Sequence, residues 1–358
     1  MKILFVGGSF DNEGGRASSL VENFSKEIKD ADNEICVDVK NGGKFDEIED
    51  ILESTINYDC VFWWPNIPND YPKLRNVKDV NFKTILITSK RNDDDKYSFG
   101  ELLSRALEVK ANLAIEFKKV GDVFSFLLFD PLGNSWHEGK GIQECAKALV
   151  SRLKFLASVT RTKSVNISNE NLEIPDEKDF FLFVKNSAEI FHKIIRPDKT
   201  VTRFLGNSSF RCQRGFPSFK KGKLVFVSRR NIDKRYISKE NFVPTYLIDG
   251  VVYYYGENKP SVDTPIQLRL YELFPKINYM VHTHCYAKTN IITKNPIPCG
   301  AIEEFDEIKN VIKDYNLDFY IINLIGHGCL IMSDDVEKLN SVSFYGREMP
   351  EKCKRTRN

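Results

Sequence analysis

The sequence has no long hydrophobic run. The longest one, Val123–Phe129, is seven residues, whereas a membrane-spanning helix needs about 20. The apolar stretch within residues 1–8 is too short for a signal peptide and is better interpreted as a strand that runs into a glycine turn. We therefore expect no membrane partner and a cytoplasmic protein.

Cysteine is present without a recognisable pattern. The eight cysteines include no C-x-x-C pair, which excludes zinc-finger and thioredoxin-type motifs. They are also too few for a disulfide scaffold in a chain of 358 residues. We expect free thiols in a reducing compartment, with Cys285 and Cys329 serving as small buried side chains rather than as metal ligands.

The chain has almost no excess of charge of either sign. Lys and Arg total 52 against 50 Asp and Glu, a formal net charge of +2. This balance argues against a nucleic-acid partner, because such proteins usually carry a basic surface. A local patch formed by Arg229, Arg230 and the basic tail 352–357 is the one alternative of this kind that the sequence leaves open.

Two domains are expected from the length and the pattern of the chain. Residues 1–160 alternate strand and helix patterns, which is typical of an open parallel sheet of flavodoxin-like type. Residues 161–177 are polar and are predicted to be a linker, and residues 178–358 are predicted to form a mixed α/β domain with a mainly antiparallel sheet. In the first domain the predicted strands are 2–6, 35–39, 60–64, 84–88 and 123–129, and the predicted helices are 17–28, 45–54, 99–117 and 142–158.

Histidine is scarce, with five in the chain, and three of them in the second domain, His282, His284 and His327, have a suggestive arrangement. His282 and His284 are two residues apart on a predicted strand, so their side chains point to the same face. His327 follows another apolar strand and lies between Gly326 and Gly328. Three imidazoles with an open fourth position are typical of a catalytic zinc site.

The motifs around these histidines resemble those of the class II aldolase/adducin family. Asp263 precedes His282 by 19 residues, which is the family's spacing between an acid and the first histidine. A G-N-x-S-x-R turn at residues 206–211 also matches. The remaining matching segments are 224–243, 259–284 and 324–332. The resemblance covers roughly residues 179–345 and implies a class II aldolase-like fold for the second domain.

The resemblance also implies a chemistry. Family members hold a divalent metal, usually zinc, on three histidines, which correspond here to His282, His284 and His327. They bind a sugar-phosphate ketone or its enediolate on the metal, with an acid at the Asp263 position as proton carrier or as an extra ligand in the resting state. For this chain we expect a metal-dependent lyase that acts on a phosphorylated or nucleotide-linked sugar through an enediolate or related carbanion. The resemblance further implies a homo-oligomer, a tetramer in the family.

Substrate and phosphate contacts can be carried over in the same way. They are Asn207, Ser208, Ser228, Arg229, Arg230, Asn231 and Ser261. The sequence departs from the family at two points: Asp263 replaces a glutamate, and residues 228–231, Ser-Arg-Arg-Asn, replace T-P-S-G. Asn231 can adopt the left-handed backbone that glycine takes, and the two arginines favour an anionic substrate.

Several alternatives remain open at this level. The second domain could be a non-catalytic, adducin-like binding or scaffold domain. The same metal site could serve an epimerase, a dehydratase or a decarboxylase. Asp263 is also well placed to cap the helix that begins near Pro265.

The first domain offers only two candidate ligand loops. The glycine-rich loop 7–19 joins the first strand to the first helix, where a phosphate could be cradled. The loop 130–138, with His137 and Glu138, follows another predicted strand, and open α/β sheets bind ligands beyond strand ends.

Overall fold

A computed structural model describes residues 1–54, 57–67, 83–90, 99–108, 111–120, 123–170, 172–195, 204–213 and 223–346. The basic tail 352–357 lies outside the described residues. The chain divides into two compact units, a first unit made of Met1–Ala157 and a second unit made of the described residues from Ser158 onward. None of the helices in the described ranges has the length and apolar composition needed to cross a bilayer.

The first unit contains a seven-stranded sheet with the order β2-β1-β3-β4-β5-β6-β7. Strands β1 to β5 are parallel, and the order 2-1-3-4-5 is that of the flavodoxin-like fold, which confirms the prediction. Strands β6 and β7 extend the sheet as an antiparallel hairpin. The elements are β1 (Lys2–Asp11), α1 (Ser19–Ala31), β2 (Cys36–Lys44), α2 (Phe45–Ser54), β3 (Cys60–Asn66), β4 (Lys83–Lys90), α3 (Phe99–Glu108), β5 (Leu113–Val120), β6 (Val123–Phe129), β7 (Ser135–Lys140) and α4 (Ile142–Ser158).

The predicted helix 99–117 is wrong in its second half. Helix α3 ends at Glu108, and a separate strand, β5, begins at Leu113. Strand β5 lies between β4 and β6, and Leu113, Ala114 and Ile115 are all completely buried. A strand buried on both faces has a continuous apolar run, which periodicity cannot distinguish from a buried helix.

The second unit contains an eight-stranded sheet with the order β15-β16-β13-β9-β10-β11-β12-β8. All neighbouring pairs are antiparallel except β12 with β8, which confirms the predicted, mainly antiparallel sheet. Strands β14 and β17 form a separate, two-stranded antiparallel sheet. The elements are β8 (Ser164–Ser168), α5 (Lys178–Ile195), β9 (Asn207–Arg211), β10 (Val225–Ser228), β11 (Phe242–Ile248), β12 (Val251–Tyr255), α6 (Thr264–Leu273), β13 (Tyr279–Thr283), β14 (Tyr286–Ala287), α7 (Glu303–Val311), β15 (Phe319–Leu324), β16 (Gly328–Ser333), α8 (Val336–Leu339) and β17 (Phe344–Gly346).

Strand β8 lies inside the segment that the sequence predicts as a linker, 161–177. It is the edge strand and pairs in parallel with β12. Val165 and Ile167 are 43% and 44% exposed. An edge strand that buries so little apolar surface has no clear hydrophobic period, which explains why the sequence does not indicate it.

The candidate site lies on one face of the second sheet. Met280 of β13 packs in a core cluster with Leu270 of α6 and Ile308 of α7. His282 is two residues further along the same strand and therefore shares this face. The opposite face is covered by α5, whose Phe180 and Phe181 pack against Phe210 of β9.

Candidate metal centre

Three of the five histidines come together at the end of β13. His282 lies on β13, His284 follows the last strand residue by one position, and His327 lies in the turn between β15 and β16. The ring centroids of His282 and His327 are 4.4 Å apart, and those of His284 lie 5.0 and 5.1 Å from the other two. One ring nitrogen from each residue lies within 4.8 Å of the others, and all three residues are buried. Because zinc binds imidazole nitrogen at about 2.0–2.1 Å, small ring rotations allow the three to share one ion.

Gly328 allows the turn that carries His327 to approach His284. A Cβ atom at position 328 would lie 2.1 Å from the backbone oxygen of Thr283 and 2.5 Å from the Cα of His284. The φ of Gly328 is also positive, at 120°, which a side chain would oppose. The glycine beside His327 therefore determines how closely the third histidine reaches the first two.

The hydrogen bonds of His282 orient one nitrogen toward the site. Its Nδ1 lies 3.0 Å from the backbone oxygen of Cys329 and donates to it in the neutral tautomer that this partner requires. Its Nε2 is buried and has no hydrogen-bond partner among the described residues. Burial, followed by the charge of His327, holds the pKa of His282 well below its ordinary value. A neutral imidazole with a buried free lone pair is the form that binds a metal ion.

His327 is oriented by a carboxylate that the sequence reasoning missed. Its Nδ1 lies 2.5 Å from Oε1 of Glu304 on α7, and its Nε2 lies 2.9 Å from Sγ of Cys299. Burial opposes the charged form of His327, but Cys299 and Glu304 together raise its pKa well above the ordinary value. Burial also raises the pKa of Glu304, against the attraction of His327. A carboxylate on the far nitrogen of a ligand histidine is the usual second partner in a metal site.

No sequence signal distinguishes Glu304 from a solvated acid. It is one of two adjacent glutamates at the start of α7, and acids are common in a first helical turn. Only the structure separates them: Glu304 is 4% exposed and bonds His327, whereas Glu303 accepts from the backbone of Thr160.

Asp263 lies beside the histidines, and its carboxylate is held from two sides. Its Oδ2 accepts from Nδ2 of Asn207 at 2.7 Å, and its Oδ1 accepts from the backbone N–H of Gly300 at 2.9 Å. Asn207 is itself paired in register with His282, and its Oδ1 accepts from Gln267. Asp263 occupies the N-cap position of α6, but its side chain makes no capping bond. The carboxylate is therefore engaged by Asn207 and Gly300 rather than by the helix end.

The predicted serine contacts cluster on the neighbouring strands. The backbone N–H of Ser208 donates to Oγ of Ser228 at 3.1 Å, and the backbone N–H of Ser261 donates to the carbonyl of Ser228 at 3.1 Å. The Oγ of Ser208 is buried and has no hydrogen-bond partner among the described residues. Asp263 donates its backbone N–H to Oγ of Ser261 at 3.3 Å. Through Ser261, Ser228 and Ser208, these bonds thus connect Asp263 to β9, the strand that carries Asn207.

The predicted arginine turn has the expected backbone. Asn231 has a φ of 56°, in the left-handed region, and its side-chain oxygen accepts from the backbone of Phe204 at 2.8 Å. Arg230 donates from Nε to the carbonyl of Pro260, and partial burial of its guanidinium lowers its pKa, although much of the side chain is exposed. The Nε of Arg229 is buried and has no hydrogen-bond partner in the described part of the chain. Of the two arginines, only Arg229 retains an unused buried donor.

Lys234 is a buried cation that sequence reasoning missed. It is 9% exposed, and its Nζ donates to the carbonyls of Leu205 and Ile232 at 3.2 and 3.4 Å. Burial lowers its pKa to about 8, and the charges of Asp233 and Asp263 oppose that shift. Its neighbours in the sequence are charged or polar, so nothing in the pattern separates it from a surface lysine.

The candidate loops of the first unit are occupied by the chain's own carboxylates. Oδ1 of Asp11 accepts from the backbone N–H groups of Glu13, Gly14 and Gly15 at 2.8, 2.9 and 2.8 Å. The loop after β6 is a hairpin turn, because β6 and β7 are antiparallel, so it does not lie at the carboxyl ends of the parallel strands. There Asp130 accepts from Leu132, Asn134 and Trp136.

Comparison with known protein families gives a match for the second unit. Residues 186–338 match the family model described as Class II Aldolase and Adducin N-terminal domain. A comparison with curated proteins finds no match.

Among solved structures, the chain is similar to the DNA/pantothenate metabolism flavoprotein from Streptococcus pneumoniae (11% identity, 44% of this chain, 99% of that chain, TM-score 0.32). It is also similar to an N-terminal class II aldolase domain from Thermoplasma acidophilum (17% identity, 48% and 92% coverage, TM-score 0.30). A third similarity is to L-fuculose 1-phosphate aldolase from Glaciozyma antarctica PI12 (13% identity, 46% and 65% coverage, TM-score 0.31).

The fold and the family match identify the class of each unit. The strand order makes the first unit flavodoxin-like. The resemblance of the second unit to the class II aldolase/adducin family is confirmed over residues 186–338.

Proposed function

We propose that the protein is a metal-dependent lyase of the class II aldolase type, with a phosphorylated or nucleotide-linked sugar as substrate. The single observation that carries this proposal is the buried cluster of His282, His284 and His327, in which the Nε2 of His282 has no partner among the described residues. A buried polar atom without a partner is costly, and a metal ion would satisfy it. The donor set of three imidazoles fits a divalent cation, most simply Zn²⁺.

When bound there, a divalent metal supplies a Lewis acid that polarises a substrate carbonyl and stabilises the negative charge that develops beside it. The chain's own contribution is to orient the ligands. Cys329 and Glu304 each engage the Nδ1 of one histidine, so that Nε2 of His282 and Nε2 of His327 face the site. The bond to Cys329 fixes the tautomer of His282, and the bond to Glu304 orients the ring of His327, before any ligand arrives.

We assign the proton transfer to Asp263. Each carboxylate oxygen accepts one hydrogen bond, from Asn207 and from Gly300, and keeps a second lone pair. A substrate C–H or O–H bond next to the carbonyl breaks, its electron pair stays on the substrate, and the proton moves to an oxygen of Asp263. The two hydrogen bonds hold the carboxylate in position for this step.

The substrate's anionic group is assigned to the turn formed by the strand ends. Ser208 offers a buried hydroxyl without a partner among the described residues, and Arg229 offers an unused Nε. Asn207, Ser228, Arg230, Asn231 and Ser261 complete the set, and most of their polar atoms are already engaged in holding the turn. Because successive strand side chains point to opposite faces, Ser208 lies on the face away from Asn207 and His282, and we therefore expect Arg229 to contribute the main direct contact.

The test has two arms. In the first, the purified full chain is stripped with a chelator and reconstituted with zinc, and we expect about one metal ion per chain because the ligand set is complete. In the second, the loaded protein is incubated in D₂O with dihydroxyacetone phosphate, a small phosphorylated ketone, and exchange of the proton next to the carbonyl is followed by NMR. This exchange reports a stabilised carbanion whichever bond the natural reaction breaks, so epimerase, dehydratase and decarboxylase outcomes would share it.

A non-catalytic, adducin-like scaffold predicts a different result in both arms. Less than about 0.2 zinc per chain after reconstitution would overturn the metal-dependent function. Full occupancy without proton exchange, for this ketone and for a panel of larger sugar phosphates, would favour a binding domain. The same proposal includes a cytoplasmic location and a homo-oligomer, which is a tetramer by the family resemblance. Light scattering tests the oligomeric state.

A further inference from the structure

Among the described residues, Cys299 is the one cysteine whose sulfur contacts a histidine of the candidate metal centre. It precedes α7, and its side chain is half-buried. Its backbone is constrained on both sides, by Pro298 before it and by Gly300 after it, whose N–H donates to Asp263 at 2.9 Å. Its Sγ lies 2.9 Å from Nε2 of His327. The sulfur is therefore held in contact with a nitrogen of the cluster.

That nitrogen is the one through which His327 would bind a metal. The Nδ1 of His327 is engaged by Glu304 at 2.5 Å, so only Nε2 is available to an ion. The sulfur of Cys299 thus lies on the metal-binding side of the ring. In the absence of a metal, the short contact between Sγ and Nε2 is a hydrogen bond between two groups that are both potential ligands.

A second observation points independently to the same place. His282 is 4% exposed, and its Nε2 is buried with no hydrogen-bond partner among the described residues. Its ring centroid is 4.4 Å from that of His327. A buried nitrogen lone pair without a donor, close to a second imidazole and a thiol, is the arrangement expected of a cation site whose ligands are protein atoms.

The other cysteines near the histidines do not offer their sulfur to the site. Cys285 is completely buried, and its Sγ lies 3.1 Å from Oγ1 of Thr283. Cys329 contributes only its backbone oxygen, to Nδ1 of His282. Burial raises the pKa of Cys285 to about 11 and that of Cys329 well above its ordinary value. These two residues behave as the small buried side chains that the sequence predicts.

We propose that Cys299 is a fourth protein ligand of the metal held by His282, His284 and His327. A substrate oxygen would then bind as a fifth ligand, an expansion that catalytic zinc sites allow. This inference rests on the metal site of the proposed function and adds a residue to it. On binding, the S–H bond breaks, the proton leaves to solvent, and the sulfur donates an electron pair to the ion. A thiolate among imidazoles favours zinc or cobalt over magnesium or manganese. Asp263, already held by Asn207 and Gly300, remains available for proton transfer.

The test uses cobalt as a spectroscopic substitute for zinc in the full chain. Cobalt bound to a thiolate has a near-ultraviolet sulfur-to-metal charge-transfer band, which cobalt bound to imidazole and oxygen alone lacks. We expect the band in the wild type, its loss in Cys299→Ser, and its retention in the matched controls Cys285→Ala and Cys329→Ala. We also expect Cys299→Ser to weaken cobalt binding. Loss of a residue that only supports a ligand typically weakens metal binding by about 10–100-fold, and loss of a direct ligand should cost at least as much.

A measurement on the wild-type protein serves if a variant does not fold. Cys299 is partly accessible and Cys36 is exposed, so iodoacetamide can modify both. We expect cobalt or zinc to protect Cys299, mapped by mass spectrometry, while modification of Cys36 is unchanged by the metal.

The outcomes separate the inference from the proposed function. If cobalt binds with one ion per chain but gives no sulfur band and no protection of Cys299, this inference is overturned and the histidine site stands. A band that survives in Cys299→Ser but disappears in a control variant would also overturn it. If cobalt does not bind at all, the metal site of the proposed function fails and the inference fails with it.

Discussion

The candidate ligand loops of the first unit and the candidate metal centre of the second differ in how their polar groups are engaged. In the first unit, Asp11 accepts three backbone N–H bonds from its own loop, and Asp130 accepts bonds from its own hairpin turn. In the second unit, the Nε2 of His282 and the Oγ of Ser208 are buried with no partner among the described residues. The first pattern is that of a loop stabilised by its own chain, and the second is that of a site prepared for a ligand.

The difference explains why loop composition alone misled for the first unit. A glycine-rich loop before a helix offers backbone N–H groups that suit a phosphate. Here the N–H groups of residues 13–15 are already bound to Asp11, whose pKa is lowered chiefly by the bond from Gly15. An internal carboxylate thus occupies the place that a phosphate would take. A backbone N–H group that is already hydrogen-bonded within the chain is not available to a phosphate. Which N–H groups are engaged in this way is visible only in the structure.

The comparison is tested most strongly by removing a histidine from the second unit. His284→Ala is expected to reduce zinc from about one ion per chain to nearly none and to abolish activity, because two imidazoles cannot hold the ion against a chelator. Metal content after reconstitution measures this. His137→Ala, which changes a histidine of the first unit, is the matched control and should bind zinc like the wild type. Full occupancy in His284→Ala would refute the assigned ligand set.

Removing the proposed proton carrier should separate chemistry from metal binding. Asp263→Asn is expected to retain zinc and to lower turnover by about 10²–10⁴-fold, the usual contribution of a general acid or base. Steady-state kinetics and metal analysis on the same preparation measure the two effects. Asp335→Asn, which changes the N-cap residue of α8, serves as a control for the loss of one carboxylate. Normal turnover in Asp263→Asn would show that the acid/base assignment is wrong.

The buried cation beside the site predicts a pH effect on stability. Burial lowers the pKa of Lys234 from its ordinary 10.5 to about 8, so this group does not destabilise the fold above about pH 10.5, and its destabilising effect grows as the pH falls from 10.5 toward 8. Between pH 9.5 and 7 this group should lower the free energy of unfolding by about 2 kcal/mol. Urea unfolding of metal-free wild type and of Lys234→Met at both pH values measures the difference.

Lys276→Met, at a lysine that bonds only the carbonyl of Asn316 at the surface, should follow the wild type in this experiment. If Lys234→Met and the wild type lose the same stability between the two pH values, Lys234 is not buried as a cation in the folded protein.

The smallest effect is expected in the first unit. Asp11→Ala removes three hydrogen bonds to a carboxylate and should lower the free energy of unfolding, in the same direction as the loss of a helix cap. Zinc content should not change. Phosphate binding, measured by ³¹P NMR, should be absent in the wild type and detectable, if at all, only in Asp11→Ala. Phosphate binding by the wild-type loop would remove the contrast between the two units.

Much of the fold follows from local patterns. The alternating elements of the first unit and the mainly antiparallel sheet of the second were predictable from hydrophobic spacing. The errors share a physical cause. Strand β5 is buried on both faces and so has a helix-like apolar run, while β8 is an exposed edge and has almost no apolar pattern. Burial, which depends on neighbours far along the chain, decides both cases.

The candidate site divides in the same way. The three histidines and Asp263 were predictable because their residue types and spacings are those of a known family. Glu304, Cys299 and Lys234 were not, because in the sequence they are ordinary charged or sulfur-containing residues.

The sequence by itself determined which side chains of this protein can bind a metal and in what order they occur, since ligand chemistry belongs to the residue type. The tertiary structure alone decided which nitrogen of each imidazole faces the site and which thiol lies beside it. The reason is that these choices depend on hydrogen-bond partners from distant segments. His282 is oriented by Cys329, and His327 is oriented by Glu304 and touched by Cys299.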